Sequence, residues 1–227
     1  MIGLVHANLL TGFSFGWWRT KHNRHHAHPN RPGKDPDLVS GALVYTPAQV
    51  AERGRFGRSF ARTQALFLVP LLFLEALNPH VASIVSLARR RDRAALVEAA
   101  LLAVHGGIFF VAPFLTLSPL RAVAFIAVTQ SLFGFYLGTS FLTNHVGMPT
   151  LADHDDLGFL GRQVLTSRNL SGRSLTGFVF GGLDSQIEHH LFPTMPRANL
   201  RRARADPPVL RRARDRLHRA EPVARLR

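Results

Sequence analysis

The sequence predicts an all-α integral-membrane protein with a cap of histidine motifs, and three observations predict it. Two apolar runs, Leu96 to Thr116 and Leu120 to Thr143, are each long enough to cross a bilayer as a helix, about 30 Å for the first. Histidine-rich motifs stand before and after these runs at helical spacing. Positive charge is also segregated from the apolar runs: Arg197 to Arg227 holds 11 arginines against Asp206, Asp215 and Glu221, whereas Leu96 to Gln130 holds only Arg121 and Glu98 as charged residues.

Composition narrows the chemistry. The 227 residues are 46% hydrophobic and include no cysteine, which excludes disulfides, thiolate metal sites, iron-sulfur clusters and cysteine nucleophiles. A net charge of +14 and a pI near 11.7 suit either nucleic acid or an anionic membrane surface. Arginines clustered beside apolar spans favour the membrane, and no RNA- or DNA-binding motif is present, so no nucleic-acid partner is expected.

In chain order, the first apolar stretch, Leu4 to Trp18, is interrupted by His6, Asn8, Thr11 and Ser14 and lacks a basic leader, so it does not read as a secretory signal. Trp17 and Trp18, next to Arg19 and Lys21, read as interfacial anchors. The run Ala65 to Ala88 carries Glu75, Asn78, Pro79 and His80 near its middle and ends at the basic cluster 89–93; it reads as interfacial or re-entrant rather than a straight span. Leu117-Ser118-Pro119 is a tight turn that makes the two long runs a helical hairpin, with Gly106-Gly107 and Gly134/Gly138 permitting close helix approach. Two crossings return the chain to the face it left, which basic residues mark as cytoplasmic. The histidine motifs and the C-terminal tail are therefore expected in the cytoplasm. Residues 1–200 read as one domain and 201–227 as an arginine-rich cytoplasmic tail, with the chain after Pro196 partly helical and surface-bound. The competing reading is three buried helices of a soluble domain.

His22, His25 and His26 form H-x-x-H-H, and Gln186, His189 and His190 form Q-x-x-H-H. On a helix this spacing puts all three side chains of a motif on one face. Imidazole suits iron, zinc, copper and nickel, and two such faces on one side of a membrane can converge on metals.

In these motifs the chain resembles the integral-membrane fatty acid desaturase superfamily, in its acyl-lipid or front-end form. GFSFGWWRTKHNRHHAHPN followed by Asp35-Pro36-Asp37 resembles the second histidine box. TNHVGMPT resembles the short motif that supplies His145, while TSRN at Thr166 to Asn169 followed by GGLDSQIEHHLFPTMPRANL resembles the third box in its glutamine form. The resemblance implies a non-haem di-iron enzyme that uses O2 and two electrons to introduce a double bond into an acyl chain. It implies iron ligation by His22, His25, His26, His145, His189 and His190. Gln186 stands where other members carry histidine, and the resemblance implies for it a weak bond to the metal or a contact with a ligand, and for Asn144 a water held near the metals. Asp35, Asp37, Asp184 and Glu188 are placed to accept the other ring N–H of metal-bound histidines. The implied substrate is an acyl lipid, acyl-CoA or acyl-carrier thioester. No G-x-G-x-x-G follows a strand and the haem-binding H-P-G-G is absent, so electrons are expected from an external ferredoxin or cytochrome with its reductase.

The resemblance fails at one point. The family's first box, H-x-x-x-H or H-x-x-x-x-H, is absent, since only His6 precedes His22. The expectation is a chain truncated at its N-terminal side, either an internal methionine of a longer reading frame or an inactive remnant. A hydroxylase on the same scaffold is the alternative chemistry.

Overall fold

The computed structural model describes residues 1–39, 41–152, 157–170 and 174–203. His154, His218 and the arginine-rich tail from residue 204 onward lie outside the described residues. Among the described residues the secondary structure is all helical, with no strand. The chain divides into two compact units, one of Met1–Asn23 with Pro47–Thr139, the other of Arg24–Thr46 with the described residues from Ser140 on.

The first unit contains the apolar helices. Asp92 caps the helix Arg93–Thr116 by accepting from the Ala95 N–H at 2.9 Å. After Leu117-Ser118, Pro119 opens the helix Pro119–His145, where its missing N–H costs nothing. These two helices are long and apolar enough to cross a membrane. Only 17% and 11% of their most apolar windows are buried within the protein. Leu96, Leu115, Leu120 and Leu132 point outward. Faces this apolar need a non-aqueous surround, which rules out the soluble three-helix reading and makes the protein an integral membrane protein.

The run expected at 65–88 is a bent pair, Arg55–Leu72 and Leu77–Arg89, turned through 80°. The break falls at residues 73–76 rather than at Asn78-Pro79. The proline acts backwards: its ring excludes the helical carbonyl position of residue 75, so Pro79 itself sits in the first turn of the following helix. Gly134 lets Pro119–His145 approach this break, because a Cβ there would lie 2.8 Å from the Leu72 carbonyl oxygen and the Ala76 nitrogen. Gly106 and Gly107 serve differently from the expectation. A Cβ on either would meet nothing, and they stand where the helix widens to π-type winding over Gly107–Val111.

A short apolar helix, Ile2–Thr11, packs on Arg93–Thr116 and ends at Gly12, whose φ of +80° suits glycine. The chain then turns into the helix Phe15–Ala27 through buried side-chain bonds. Glu98, 2% exposed, accepts from the Ser14 hydroxyl at 2.6 Å, the Gly16 N–H at 3.0 Å and the Arg90 guanidinium at 2.9 Å. Ser83 Oγ accepts from the Ser14 N–H at 2.8 Å. His80 and His105 face the carbonyls of Gly12 and Leu9 through Nδ1, each at 2.9 Å. Trp18 stacks on His22 with ring centroids 5.1 Å apart, and Lys21 lies over Trp18.

The second unit has a small apolar cluster of Leu151, Leu157 and Leu165. Around it run the helices Phe159–Thr166, Gln186–Leu191 and Arg197–Ala203, and the 3-10 turn Pro36–Leu38 capped by Asp35. The C-terminal ends of Phe15–Ala27 and Pro119–His145 bring His25, His26 and His145 into it.

Candidate metal centre

Three imidazoles converge in the second unit. His25, His145 and His190 place ligand atoms within 4.8 Å of one another, and two of the three rings are fully buried. In each, Nδ1 is tied to an acceptor. His25 Nδ1 faces Asp35 Oδ1 and Oδ2 at 2.9 and 3.0 Å, and Asp37 Oδ2 at 3.2 Å. His145 Nδ1 faces the Thr166 carbonyl at 3.0 Å. His190 Nδ1 faces Gln163 Oε1 at 2.8 Å, and the same amide donates its Nε2 to the His26 carbonyl at 3.0 Å, which fixes the orientation of Gln163.

Acceptors at Nδ1 decide the tautomers. A carbonyl, an amide oxygen or a carboxylate can only receive a proton, so the neutral rings carry theirs on Nδ1 and turn a lone pair outward at Nε2. His25 Nε2 and His145 Nε2 then face one another as two lone pairs at 3.4 Å. The His190 Nε2 is buried without a hydrogen-bond partner. Two nitrogens bound to one first-row ion at about 2.1 Å lie roughly 3.0 to 3.4 Å apart. The donor set therefore fits a cation shared by the three Nε2 atoms, and it has the outer acceptors that fix metal-bound imidazoles elsewhere.

His26 and His189 approach one another through Nε2 at 3.2 Å, in the same unit. Burial, helped by the neighbouring His189, His25 and His145, pushes His26 down to about 3, and burial likewise holds His190 well below the ordinary histidine value. Both rings are thus neutral at neutral pH, the form that binds metal. His22 stands one helical turn before His26 on Phe15–Ala27, in the first unit.

The remaining residues singled out in the sequence occupy several different places. Gln186 donates from Nε2 to His145 Nε2 at 3.0 Å, and Asn144 lies 3.5 Å from the Gln186 amide oxygen. Asp35 also accepts from the Asn30 and Asp37 N–H groups at 2.7 and 2.9 Å, which holds its carboxylate in place. Glu188 accepts from Asn169 Nδ2 at 2.8 Å, and Asp184 faces Arg201 at 3.6 Å.

Several anchors escaped the sequence reading. Gln163 carries the firmest signal in retrospect, a fully buried amide on the inner side of an amphipathic helix among Gly161, Val164 and Leu165. Asn30 donates to the carbonyls of His145, Met148 and Pro149. Thr166 and Asn169 lie in the quoted TSRN motif, but their roles required the fold.

Comparison with known proteins shows the family. The fatty acid desaturase family model matches residues 1–220. The chain is 32% identical over 210 residues to an acyl-lipid (9-3)-desaturase of Physcomitrium patens, covering 88% of this chain and 39% of that protein. It is 32% identical over 192 residues to an acyl-lipid 8-desaturase of Rebecca salina, covering 83% and 43%. With a Delta(6)-fatty-acid desaturase of Caenorhabditis elegans it shares 31% over 218 residues, covering 88% and 48%. The chain thus spans less than half the length of these relatives. An all-helical architecture with two membrane-length apolar helices and a family match over nearly the whole sequence lead to one conclusion: the chain belongs to the fatty acid desaturase family.

Proposed function

We propose that this chain forms the histidine-box portion of a membrane desaturase. The reaction removes two hydrogens from adjacent methylenes of an acyl chain, with O2, two electrons and two protons consumed and two waters formed. The observation that carries the proposal is the convergence of His25, His145 and His190, whose ligand nitrogens lie within 4.8 Å of one another, each ring held from behind at Nδ1.

The proposed ligands are His22, His25, His26, His145, His189 and His190, with Gln186 and Asn144 close by. Bound iron would supply the activation of O2 that attacks an unactivated C–H bond, chemistry that no side chain of this protein can perform. The protein holds and orients. The Asp35 carboxylate and the Thr166 carbonyl retain the Nδ1 protons, so the Nε2 lone pairs stay directed inward. Gln163 couples the His190 ring to the His26 backbone, joining the second box to the third. Burial of His25, His26, His189 and His190 keeps bulk water from the centre. Asp35 and Asp37 are in direct contact with His25, while Glu188 accepts from Asn169 and Asp184 faces Arg201.

The substrate is an acyl chain on a lipid, on coenzyme A or on a carrier protein, and the names of the relatives favour a lipid. Electrons come from a separate carrier protein. The cluster 89–93 and the C-terminal arginines support a cytoplasmic position for the histidine boxes and tail. Expression of the complete protein in a host lacking its product, with fatty acid methyl esters analysed by mass, tests the reading. A product lighter by two hydrogens, lost in His189→Ala or His190→Ala while the protein stays in the membrane, is expected. A product heavier by one oxygen would indicate hydroxylation instead, and desaturation retained in either variant would overturn the ligand set.

A further inference from the structure

The helix Pro119–His145 ends at a proposed ligand, and Arg168 closes most of its open end. The last carbonyls of a helix have no partner within it, so each must find one outside. The Leu142 carbonyl accepts from the Val146 N–H at 3.1 Å. The Thr143 carbonyl accepts from Arg168 Nε at 2.6 Å, the Asn144 carbonyl from the Arg168 backbone N–H at 3.1 Å, and the Val146 carbonyl from Arg168 Nη2 at 2.7 Å. The His145 carbonyl takes the Met148 N–H at 3.1 Å and Asn30 Nδ2 at 3.3 Å. Gly147, at φ +82°, supplies the left-handed turn that lets the chain leave without covering the carbonyls Arg168 reaches.

Arg168 therefore grips the turn on both sides of His145, while Thr166, two residues earlier, receives the His145 Nδ1 proton. Ring and backbone of one residue are fixed by one short segment. The following residue, Asn169, accepts from the Ile187 N–H at 2.9 Å and donates to Glu188, in the helix that carries His189 and His190. The segment Thr166 to Asn169 thus ties the His145 turn to the third box.

We propose that Arg168 is a positioning residue for the metal centre, holding the His145 turn so that Nε2 points at the position shared with His25 and His190. A planar guanidinium suits this task, because Nε and Nη2 reach two carbonyls at once in a fixed geometry that an ammonium cannot match. The inference rests on the reading of His145 as a ligand.

Cobalt(II) titration of the full-length protein in detergent, followed by visible absorption and paired with thermal unfolding, tests it. The wild type is expected to give ligand-field bands that His145→Ala changes. Arg168→Ala is expected to weaken Co(II) binding about 10- to 100-fold and to shift the bands at saturation, both partly restored by millimolar guanidinium ion that leaves the wild type unaltered. Arg168→Lys, which keeps the charge but spans one carbonyl, is expected to show a smaller loss, and it decides the matter if the alanine variant does not fold. A wild type that binds Co(II) through His145, with affinity and bands indifferent to both Arg168 variants, would overturn the positioning role alone. A wild type with no such bands, or bands unchanged in His145→Ala, would overturn the ligand reading and this inference with it.

Discussion

Asp35 shows most clearly how a single side chain sets the chemistry of the centre. Its carboxylate is 1% exposed and receives three N–H groups, from His25 Nδ1, Asn30 and Asp37. Asp35→Asn keeps the shape but replaces one oxygen by a donor. An amide N–H facing His25 would move the imidazole proton to Nε2 and remove the lone pair the centre needs. We expect about 10- to 100-fold weaker metal binding with an unfolding midpoint close to the wild type, measured by metal titration and thermal scan on the same preparation. Unchanged affinity would show that His25 is held by other means. The two triads stood out in the sequence by their i, i+3, i+4 spacing, which puts side chains on one helix face, whereas His145 was singled out only through the family resemblance. The anchors were not. Gln163 lies 27 residues from His190 and 137 from His26, Thr166 lies 21 from His145, and Asn30 lies 115 from His145, so their roles exist only once the chain has folded.

Among the elements, the helix Arg93–Thr116 carries the most exacting polar load. Glu98 sits in its second turn and receives the Ser14 hydroxyl, the Gly16 N–H and Arg90. A carboxylate accepting the free N–H of Gly16 and aided by the Ser14 cap favours the start of Phe15–Ala27 through both hydrogen bonding and the helix dipole. Removing a buried carboxylate leaves these donors unsatisfied, and Glu98→Ala is expected to lower the stability of the protein by about 3 kcal/mol. Thermal unfolding in detergent checks this, and a midpoint within a degree of the wild type would contradict it. Element boundaries were partly readable from the chain. The break between the two long helices was readable from Leu117-Ser118-Pro119, where the structure ends one helix and begins the next. The bend precedes Asn78-Pro79 because a proline disrupts the carbonyl four positions earlier, not its own peptide. Gly106-Gly107 was misassigned for a related reason. Glycine marks both close packing and irregular winding, and only the neighbours decide which.

At the scale of the molecule, outward apolar faces on two long helices require a membrane, and a compact unit of short helices gathers five histidines at their ends. Charge segregation and hydropathy made this division visible in the sequence. Which residues of the second unit touch which was invisible there, because the unit is built from segments far apart in the chain. The claim on which the rest depends is that these histidines hold iron. X-ray absorption at the iron edge, on full-length protein purified aerobically from its membrane with iron quantified beforehand, tests it most directly. Bound iron with a shell dominated by nitrogen at about 2.1 Å and the outer-shell scattering of several imidazoles is the expected result. Iron lacking imidazole scattering, or protein that folds and holds no iron above the His190→Ala variant, would contradict it.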